Sequence, residues 1–236
     1  MQAVSAEVLN ALKEFDSATI FNAVVESMGA TQGGAELEGK GGIPVIYTGP
    51  TLRCLLPKLG SAVGTVVTTE VTPIDTDSEA IPWDEYYQTL DKTPGPIIAV
   101  MKDVAPRPGR GACFGDGMAG SHRLCGVTGA VLEGSARDVA GIEEVGLPIW
   151  GTGIVPGHGV FNLVSVNRSI TIAGLRVHPG EVMIADTDGC TKIPRGHDPE
   201  VVLAKAGEIR DREQANHVIA RRPGMTYARY RELRGR

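Results

Sequence analysis

The stretch "GAVLEGSARDVAGIEEVGLPIWGTG", residues 129–153, decides the fold class of this chain. It predicts a short strand, a turn, a helix that ends at Gly146, and a second buried strand. Upstream, residues 96–128 predict a strand, a loop and another helix. This alternation is typical of parallel strands joined by crossover helices. We therefore expect an α/β fold in which helices cover a mixed sheet.

The flanking segments add further elements without dividing the chain. They predict helices at 5–15 and 16–29, a loop-rich segment at 31–50, a strand at 61–73, a helix at 78–92, β-hairpins at 163–194 and an amphipathic helix at 198–222. Neither a repeat nor a linker separates these segments. We therefore predict one domain over residues 1–236, with a core at about 16–215 and a C-terminal arm at 216–236.

Composition and charge exclude several function classes. The 236 residues are 42% hydrophobic, with a formal net charge of −5. Nucleic-acid binding needs a concentrated basic surface, so we expect no nucleic acid as principal partner and interpret the basic end, residues 220–236, as a solvated tail or interface arm. No run approaches the roughly 18–20 apolar residues of a membrane span, and no secretion signal is found. The four cysteines follow no zinc-binding spacing, so we expect reduced thiols in a cytoplasmic protein.

Three charged residues stand at two predicted strand-to-helix corners. Asp116 begins one helix, and the adjacent Arg137 and Asp138 precede the next, in a D-x20-R-D spacing. Ligands in such sheets lie beyond the carboxyl ends of the strands, near helix N-termini. Both corners are therefore expected to face one cleft. The flanking glycines that would leave room for a ligand are Gly115, Gly117 and Gly134.

These residue types suit a small anion and a hard cation. A helix N-terminus binds anions, arginine grips a carboxylate with two hydrogen bonds, and aspartate ligates divalent cations. A simpler interpretation stays open, in which Asp116 and Asp138 are helix N-caps and Arg137 is a surface ion-pair partner. Two other residues are weaker candidates. We expect a structural role for His122, and Lys102 is a strand-end lysine that could form a Schiff base.

The charged motif also resembles a known family. The motif is G-D-x-x-A at residues 115–119, followed by "GAVLEGSARDVAGI"; "SAVGTVVTTEV", "GLPIWGTG" and "VNRSITIAGLRVHPGEVMIADTDGCTKIP" match as well. These segments are similar to the family that contains the regulator of ribonuclease activity A (RraA) and the aldolases acting on 4-hydroxy-4-methyl-2-oxoglutarate and 4-carboxy-4-hydroxy-2-oxoadipate. The resemblance covers roughly residues 16–215, and the D-x20-R-D spacing is that of the aldolase branch.

The resemblance implies a single RraA-like α/β domain that forms trimers or hexamers, with the C-terminal helix at a subunit interface. It also implies divalent-metal (class II) cleavage of a carbon–carbon bond beside a pyruvoyl group. By position, Arg137 would bind the carboxylate and keto oxygen side of the substrate. Asp138 would ligate Mg²⁺ or Mn²⁺, and Asp116 would hold metal-bound waters.

The remaining site residues also follow from the resemblance. An acid from the C-terminal helix of a neighbouring subunit would complete the site, and Glu213 or Glu208 could supply it. The turn that would bind the pyruvate end of the substrate consists of Gly115, Gly117, Met118 and Ala119.

We therefore expect an aldolase that cleaves a 4-hydroxy-2-oxo acid to pyruvate and a second oxo acid, with oxaloacetate decarboxylation as a side activity. With no obvious histidine or free carboxylate at hand, a metal-bound water is the expected base for the C4 hydroxyl. Two alternatives stay open: a non-catalytic regulator that binds a ribonuclease or another protein, and a Schiff-base aldolase that uses Lys102. Residues 81–95 and 104–114 are not typical of the family and could shape the distal substrate pocket.

Overall fold

The structure, a computed structural model, describes residues 4–30 and 45–234. Its elements follow the chain in the order α1 (Ala6–Leu12), α2 (Ser17–Ser27), β1 (Arg53–Cys54), β2 (Ala62–Thr72), α3 (Trp83–Lys92), β3 (Ile97–Asp103), β4 (Ala112–Phe114), α4 (Asp116–Leu124), β5 (Val127–Ala136), α5 (Val139–Val145), β6 (Ile149–Ile154), β7 (Asn162–Val166), β8 (Ile170–Ile172), β9 (Leu175–Val177), β10 (Val182–Ala185), β11 (Cys190–Ile193), α6 (Pro199–Ala220) and α7 (Tyr227–Leu233). Residues 31–44 of the predicted loop-rich segment lie outside the described residues. Among the helices of this described part, none combines the length and the apolar character that crossing a membrane requires.

One mixed sheet organises the described part of the chain. Its main path runs β1-β6-β5-β3-β2-β10-β11, with β4 added to β5 and β7 added to β2. The pairs β2–β3, β3–β5, β4–β5 and β5–β6 are parallel. These are the strands that alternate with helices along the chain, because a parallel neighbour can be reached only through a crossover. The predicted α/β fold with a mixed sheet and covering helices is confirmed.

Both faces of the parallel strands are covered. Alternate side chains of a strand point to opposite faces. Ile97, Ala99 and Met101 of β3 pack in a cluster with α3, α4 and α5, whereas Ile98 and Val100 pack in another with the β8–β9 hairpin. A third cluster joins α1, α2 and α6 to β10 and β11. The division into a core at about 16–215 and an arm at 216–236 stays a prediction.

Local signals set several helix ends, and one expectation is corrected. Asp16 caps α2 by accepting a hydrogen bond from the Thr19 amide at 2.6 Å, and Gly146 ends α5 in the left-handed conformation. The predicted loop at 104–114 contains β4, a strand too short to show a periodic pattern. The predicted tail contains α7, which begins after the capping residue Thr226.

Candidate functional site

The two predicted corners meet where β4 and β5 end side by side. These strands pair in parallel, with Phe114 opposite Ala136. The amide of Arg137 then donates to the carbonyl of Phe114 at 2.9 Å, which extends the pairing by one residue. Because both strands end here, α4 begins at Asp116 and α5 begins at Val139 on the same edge of the sheet.

A cavity of about 260 Å³ opens at this edge. Of the residues predicted for the site, five line it: Gly115, Asp116, Gly117, Met118 and Arg137. Ala119 does not contribute as expected. It is fully buried, and its amide already donates to the Gly115 carbonyl at 3.0 Å, so it has no N–H to offer a ligand. The first helical turn after Gly115 therefore forms the cavity wall without Ala119.

Arg137 and Asp138 form a strained, half-exposed pair. Asp138 has a φ of 53° and a ψ of 40°, in the left-handed region, which is uncommon for residues with a Cβ although Asp adopts it more often than most. Its Oδ2 lies 3.0 Å from Nε of Arg137, and the two side chains are 37% (Arg137) and 43% (Asp138) exposed. The Nη groups of Arg137 make no hydrogen bond within residues 4–30 and 45–234. Backbone strain of this kind persists where the surroundings fix it, and it is frequent at functional sites.

Glycines shape the corners, and Gly134 is the one of the three indicated by the sequence that does not line the cavity. A Cβ at Gly134 would lie 2.7 Å from Cys113 Sγ, so this glycine makes room for the protein core rather than for a ligand. A Cβ at Gly141 would lie 2.7 Å from Oδ2 and 2.8 Å from Cβ of Asp116. Gly141 of α5 therefore permits the close approach that holds Asp116 at the cavity.

The oxygen donors at these corners fit a divalent cation such as Mg²⁺. Asp138 and Asp116 supply two carboxylates, and no group of three or more His, Cys, Asp or Glu side chains suited to a metal occurs in the described part of the chain. Mg²⁺ is commonly held by one or two carboxylates together with water and substrate oxygens. Asp116 lines the cavity and Asp138 adjoins it through Arg137, so both carboxylates are donors of the type that Mg²⁺ accepts.

Three other candidates do not line the cavity. Glu208 and Glu213 both belong to α6; Glu208 pairs with Lys205 at 2.6 Å, and Glu213 borders a separate groove beside Arg210. Lys102 donates to the Thr171 carbonyl at 2.6 Å, and its Nζ lies 3.2 Å from a Glu133 carboxylate oxygen. Neither the predicted neighbouring acid nor the Schiff-base lysine thus reaches the cavity of its own chain.

The expected structural role of His122 is confirmed. Its Nε2 lies 2.8 Å from the hydroxyl of Tyr86 on α3, and its Nδ1 lies 2.7 Å from the Met118 carbonyl. Burial lowers the pKa of His122 to about 4, so the ring is neutral near pH 7. Nε2 therefore joins α4 to α3, whereas Nδ1 bonds to the preceding turn of α4 itself.

The sequence interpretation missed one wall of the cavity. The loop at residues 155–161 contributes His158 and Phe161. Its glycine-rich sequence lacks the GK[ST] ending of a phosphate-binding loop and so gives no motif signal. The signal that could have found it is topological. This loop follows β6, the parallel neighbour of β5, and therefore leaves the sheet at the same edge as Arg137.

Fold and site together define the class: an α/β protein with a small cavity, lined by an arginine and a helix N-terminus, at the carboxyl ends of parallel strands. Comparison with known proteins identifies the family. The sequence model of the RraA-like family, described as Aldolase/RraA, matches residues 41–191, more than half of the chain. The chain therefore belongs to the RraA-like family, as the resemblance predicted.

Individual relatives agree with this assignment. A protein of Halalkalibacterium halodurans named "Putative 4-hydroxy-4-methyl-2-oxoglutarate aldolase" is 29% identical over 153 residues, which is 56% of this chain and 72% of that protein. An uncharacterized protein from Pseudomonas syringae pv. tomato has a similar structure, with a TM-score of 0.73 at 20% identity over 98% of this chain and 96% of that one. Streptomyces coelicolor RraAS2, titled an unusual member of the RNase ES inhibitor RraA protein family, has a TM-score of 0.66 at 20% identity over 94% and 100%. The two structures support the fold.

Proposed function

We propose that this chain is a divalent-metal-dependent, class II aldolase. It cleaves a 4-hydroxy-2-oxo acid into pyruvate and a second oxo acid, and it decarboxylates oxaloacetate as a side activity. The observation that carries the proposal is the shared cavity, which Arg137, Asp116 and the first turn of α4 line together and which Asp138 adjoins through its contact with Arg137. The aldolase name of the H. halodurans relative supports the same activity.

The keto-acid end of the substrate binds to Arg137 and to the start of α4. The Nη groups of Arg137 have no hydrogen-bond partner in the described part of the chain, and a guanidinium matches a carboxylate in geometry and charge. The Gly117 amide is taken by the Asp116 carboxylate, whereas the Met118 amide has no hydrogen-bond partner in the described part of the chain and can stabilise an anion at the helix N-terminus. A volume of about 260 Å³ suits a short oxo acid.

The same groups favour the charge that develops during cleavage. Breaking the bond beside the pyruvoyl group leaves a pyruvate enolate, with negative charge on the former keto oxygen. Arg137 and the N-terminus of α4 place fixed positive potential at that position. Asp138, and Asp116 through water, would hold Mg²⁺ or Mn²⁺, which supplies Lewis-acid polarisation of the keto oxygen when bound.

A second copy of the chain completes the site in this proposal. In a homotrimer or homohexamer, α6 of one subunit would lie at the cavity of the next, where Glu213 or Glu208 supplies an acid. Both residues lie on α6, outside the cavity of their own chain. The cytoplasmic location, and the absence of nucleic-acid and membrane partners, stay predictions.

Pyruvate release tests the proposal. The purified protein is mixed with oxaloacetate, and separately with 4-hydroxy-4-methyl-2-oxoglutarate, in the presence of Mg²⁺ or EDTA, and pyruvate is measured with lactate dehydrogenase. We expect release from both substrates and a loss of about 100-fold or more with EDTA. Release that is insensitive to EDTA and trapped by borohydride would instead favour a Schiff base on Lys102. No release above the buffer rate would overturn the proposal and favour a regulator that binds a ribonuclease or another protein.

A further inference from the structure

The loop at residues 155–161 holds one wall of the cavity in a fixed position. Val155 donates to a β5 carbonyl at 3.0 Å, Gly157 accepts the first amide of β4 at 2.8 Å, and Gly159 donates to the Pro73 carbonyl at 2.7 Å. A Cβ at Gly159 would lie 3.1 Å from that carbonyl oxygen, so glycine allows the close approach. The backbone on both sides of His158 is therefore anchored to neighbouring elements.

Phe161 anchors the end of the same loop. Its φ is 58°, in the left-handed region, although it is not a glycine. Its ring stacks on Trp83 of α3, with centroids 5.0 Å apart and planes at 13°, and its carbonyl accepts a hydrogen bond from the Trp83 indole at 3.2 Å. Such a conformation persists only where the surroundings determine it. The loop is therefore built to present its side chains in one arrangement.

His158 is presented to the cavity with a defined tautomer. Its Nδ1 lies 2.8 Å from the carbonyl oxygen of Gly159. A carbonyl only accepts, so Nδ1 carries the hydrogen, and in the neutral ring Nε2 keeps its lone pair. Within residues 4–30 and 45–234, Nδ1 is the only ring nitrogen of His158 with a hydrogen-bond partner. The side chain is exposed and lines the cavity together with Arg137.

We propose that His158 is the general base of the cleavage step, a role that rests on the proposed aldolase function. Nε2 takes the proton of the C4 hydroxyl, and the electron pair of that O–H bond forms the C4 carbonyl. The C3–C4 bond breaks, and its electron pair forms the C2–C3 double bond of the enolate while the keto π pair moves to the 2-oxygen. C3 then takes a proton from water, and the imidazolium returns its proton to the hydroxide so formed.

The position and the residue type suit this step. The hydroxyl is two carbons from the keto group, so its base belongs on a wall other than the one that binds the carboxylate, and the 155–161 loop supplies such a wall. Histidine is the side chain that most often serves as a general base in enzymes. The nearby Asp116 carboxylate is already engaged: its Oδ1 accepts the Gly117 amide at 2.7 Å, and it packs against Gly141.

A comparison of two reactions isolates the role of His158. Cleavage of 4-hydroxy-4-methyl-2-oxoglutarate requires removal of a hydroxyl proton, whereas decarboxylation of oxaloacetate forms the same enolate with no hydroxyl proton to remove. In His158→Gln we expect kcat for the first reaction to fall about 10²–10⁴-fold and kcat for the second to change less than about threefold. The matched control is Val160→Ala. Val160 is an exposed residue of the same loop outside the cavity lining, so both rates are expected to persist.

Two further measurements separate loss of the base from loss of structure. The Kd for pyruvate, measured by calorimetry in the presence of Mg²⁺, should be the same for wild type and His158→Gln, because pyruvate binds at Arg137 and α4. Added imidazole should restore part of the cleavage rate of His158→Ala, because a small base can occupy the space of the missing ring.

The outcomes distinguish this inference from the proposal on which it rests. If wild type releases pyruvate from both substrates, but His158→Gln loses both reactions equally or neither, the role of His158 is overturned and the aldolase stands. Failure of imidazole to rescue His158→Ala would also count against a proton-transfer role. If wild type releases no pyruvate from either substrate, both proposals fail.

Discussion

Two ion pairs of similar length lie in opposite surroundings. Nε of Arg137 is 3.0 Å from Asp138, and Nζ of Lys192 is 2.9 Å from Glu181. The first pair is 37% and 43% exposed, whereas the second is 8% and 1% exposed. Lys192 also donates to the Arg176 carbonyl at 2.6 Å. Glu181 also accepts a hydrogen bond from the His178 amide at 2.8 Å.

The comparison distinguishes a charged side chain that is available to a ligand from one whose hydrogen bonds are all made within the protein. The buried pair satisfies its donors and acceptors within the protein, as buried charges must. The exposed pair leaves the Nη groups of Arg137 without a hydrogen bond in the described part of the chain. A larger groove of about 640 Å³ borders Glu181, yet this charge is already satisfied by Lys192. Donors without a hydrogen-bond partner, rather than cavity size, therefore favour the cavity at Arg137 as the proposed ligand site.

The largest effect is expected at the buried pair. Lys192→Met leaves the Glu181 carboxylate buried without its partner, and we expect the free energy of unfolding to fall by about 3–5 kcal/mol in urea titrations. The pyruvate release per folded molecule should not change. Lys205→Met, which breaks an exposed pair with Glu208, is the control and should alter stability by less than about 1 kcal/mol. Equal stability of the two variants would contradict the assignment of the buried pair to structure.

Arg137→Ala should lower the catalytic rate and leave the stability nearly unchanged, the reverse of Lys192→Met. Loss of the guanidinium removes a preorganised donor from the developing enolate, so kcat/KM for oxaloacetate should fall about 10²–10³-fold. The free energy of unfolding should change by less than about 1 kcal/mol, because the pair is half exposed. Arg137→Lys keeps the charge without the two-pronged geometry and should recover only part of the rate. Near-normal pyruvate release by Arg137→Ala would refute the site.

The sequence predicts those parts of the site that depend on local patterns along the chain. Glycine and proline breaks and the alternation of strand and helix place Asp116 and Arg137 at consecutive corners, and parallel pairing then brings the corners together. The short strand β4 carries no periodic pattern, although its pairing with β5 is what aligns the two corners. The fold class was therefore predictable, but the register that forms the cavity was not.

Non-local contacts account for the rest. The role of Gly134 depends on its contact with Cys113, and that of Gly141 depends on its contact with Asp116. Both contacts join residues more than 20 positions apart, so the sequence does not show them. A glycine inside a helical pattern, such as Gly141, is nevertheless a signal of close packing. His158 follows β6, whereas Asp116 and Arg137 follow β4 and β5. Only the parallel pairing of β5 with β6 brings His158 to the same edge of the sheet.

Replacing Asp138 of the exposed pair should raise stability and lower activity. Asp138→Gly relieves the left-handed conformation of a residue with a Cβ, so the free energy of unfolding should rise by about 1 kcal/mol. The same change removes a carboxylate proposed to hold Mg²⁺, so pyruvate release at fixed Mg²⁺ should fall about 100-fold. Thermal unfolding and the lactate dehydrogenase assay check the two expectations. An Asp138→Gly variant that is less stable than wild type and fully active would contradict both expectations.

The smallest effect is expected at the helix that supports Asp116. In Gly141→Ala the new methyl group would lie 2.7–2.8 Å from Asp116 atoms, so the start of α4 must shift. The gain in helix propensity, about 1 kcal/mol, offsets much of that clash, and stability should change little. We expect kcat/KM for oxaloacetate to fall about tenfold, because small misplacements of a catalytic group reduce the rate. Gly120→Ala is the matched helix control: a Cβ there meets nothing within 4 Å, so it should stabilise the fold and leave kcat/KM unchanged. If Gly141→Ala keeps the full rate, the close packing of Asp116 against α5 is not required for catalysis.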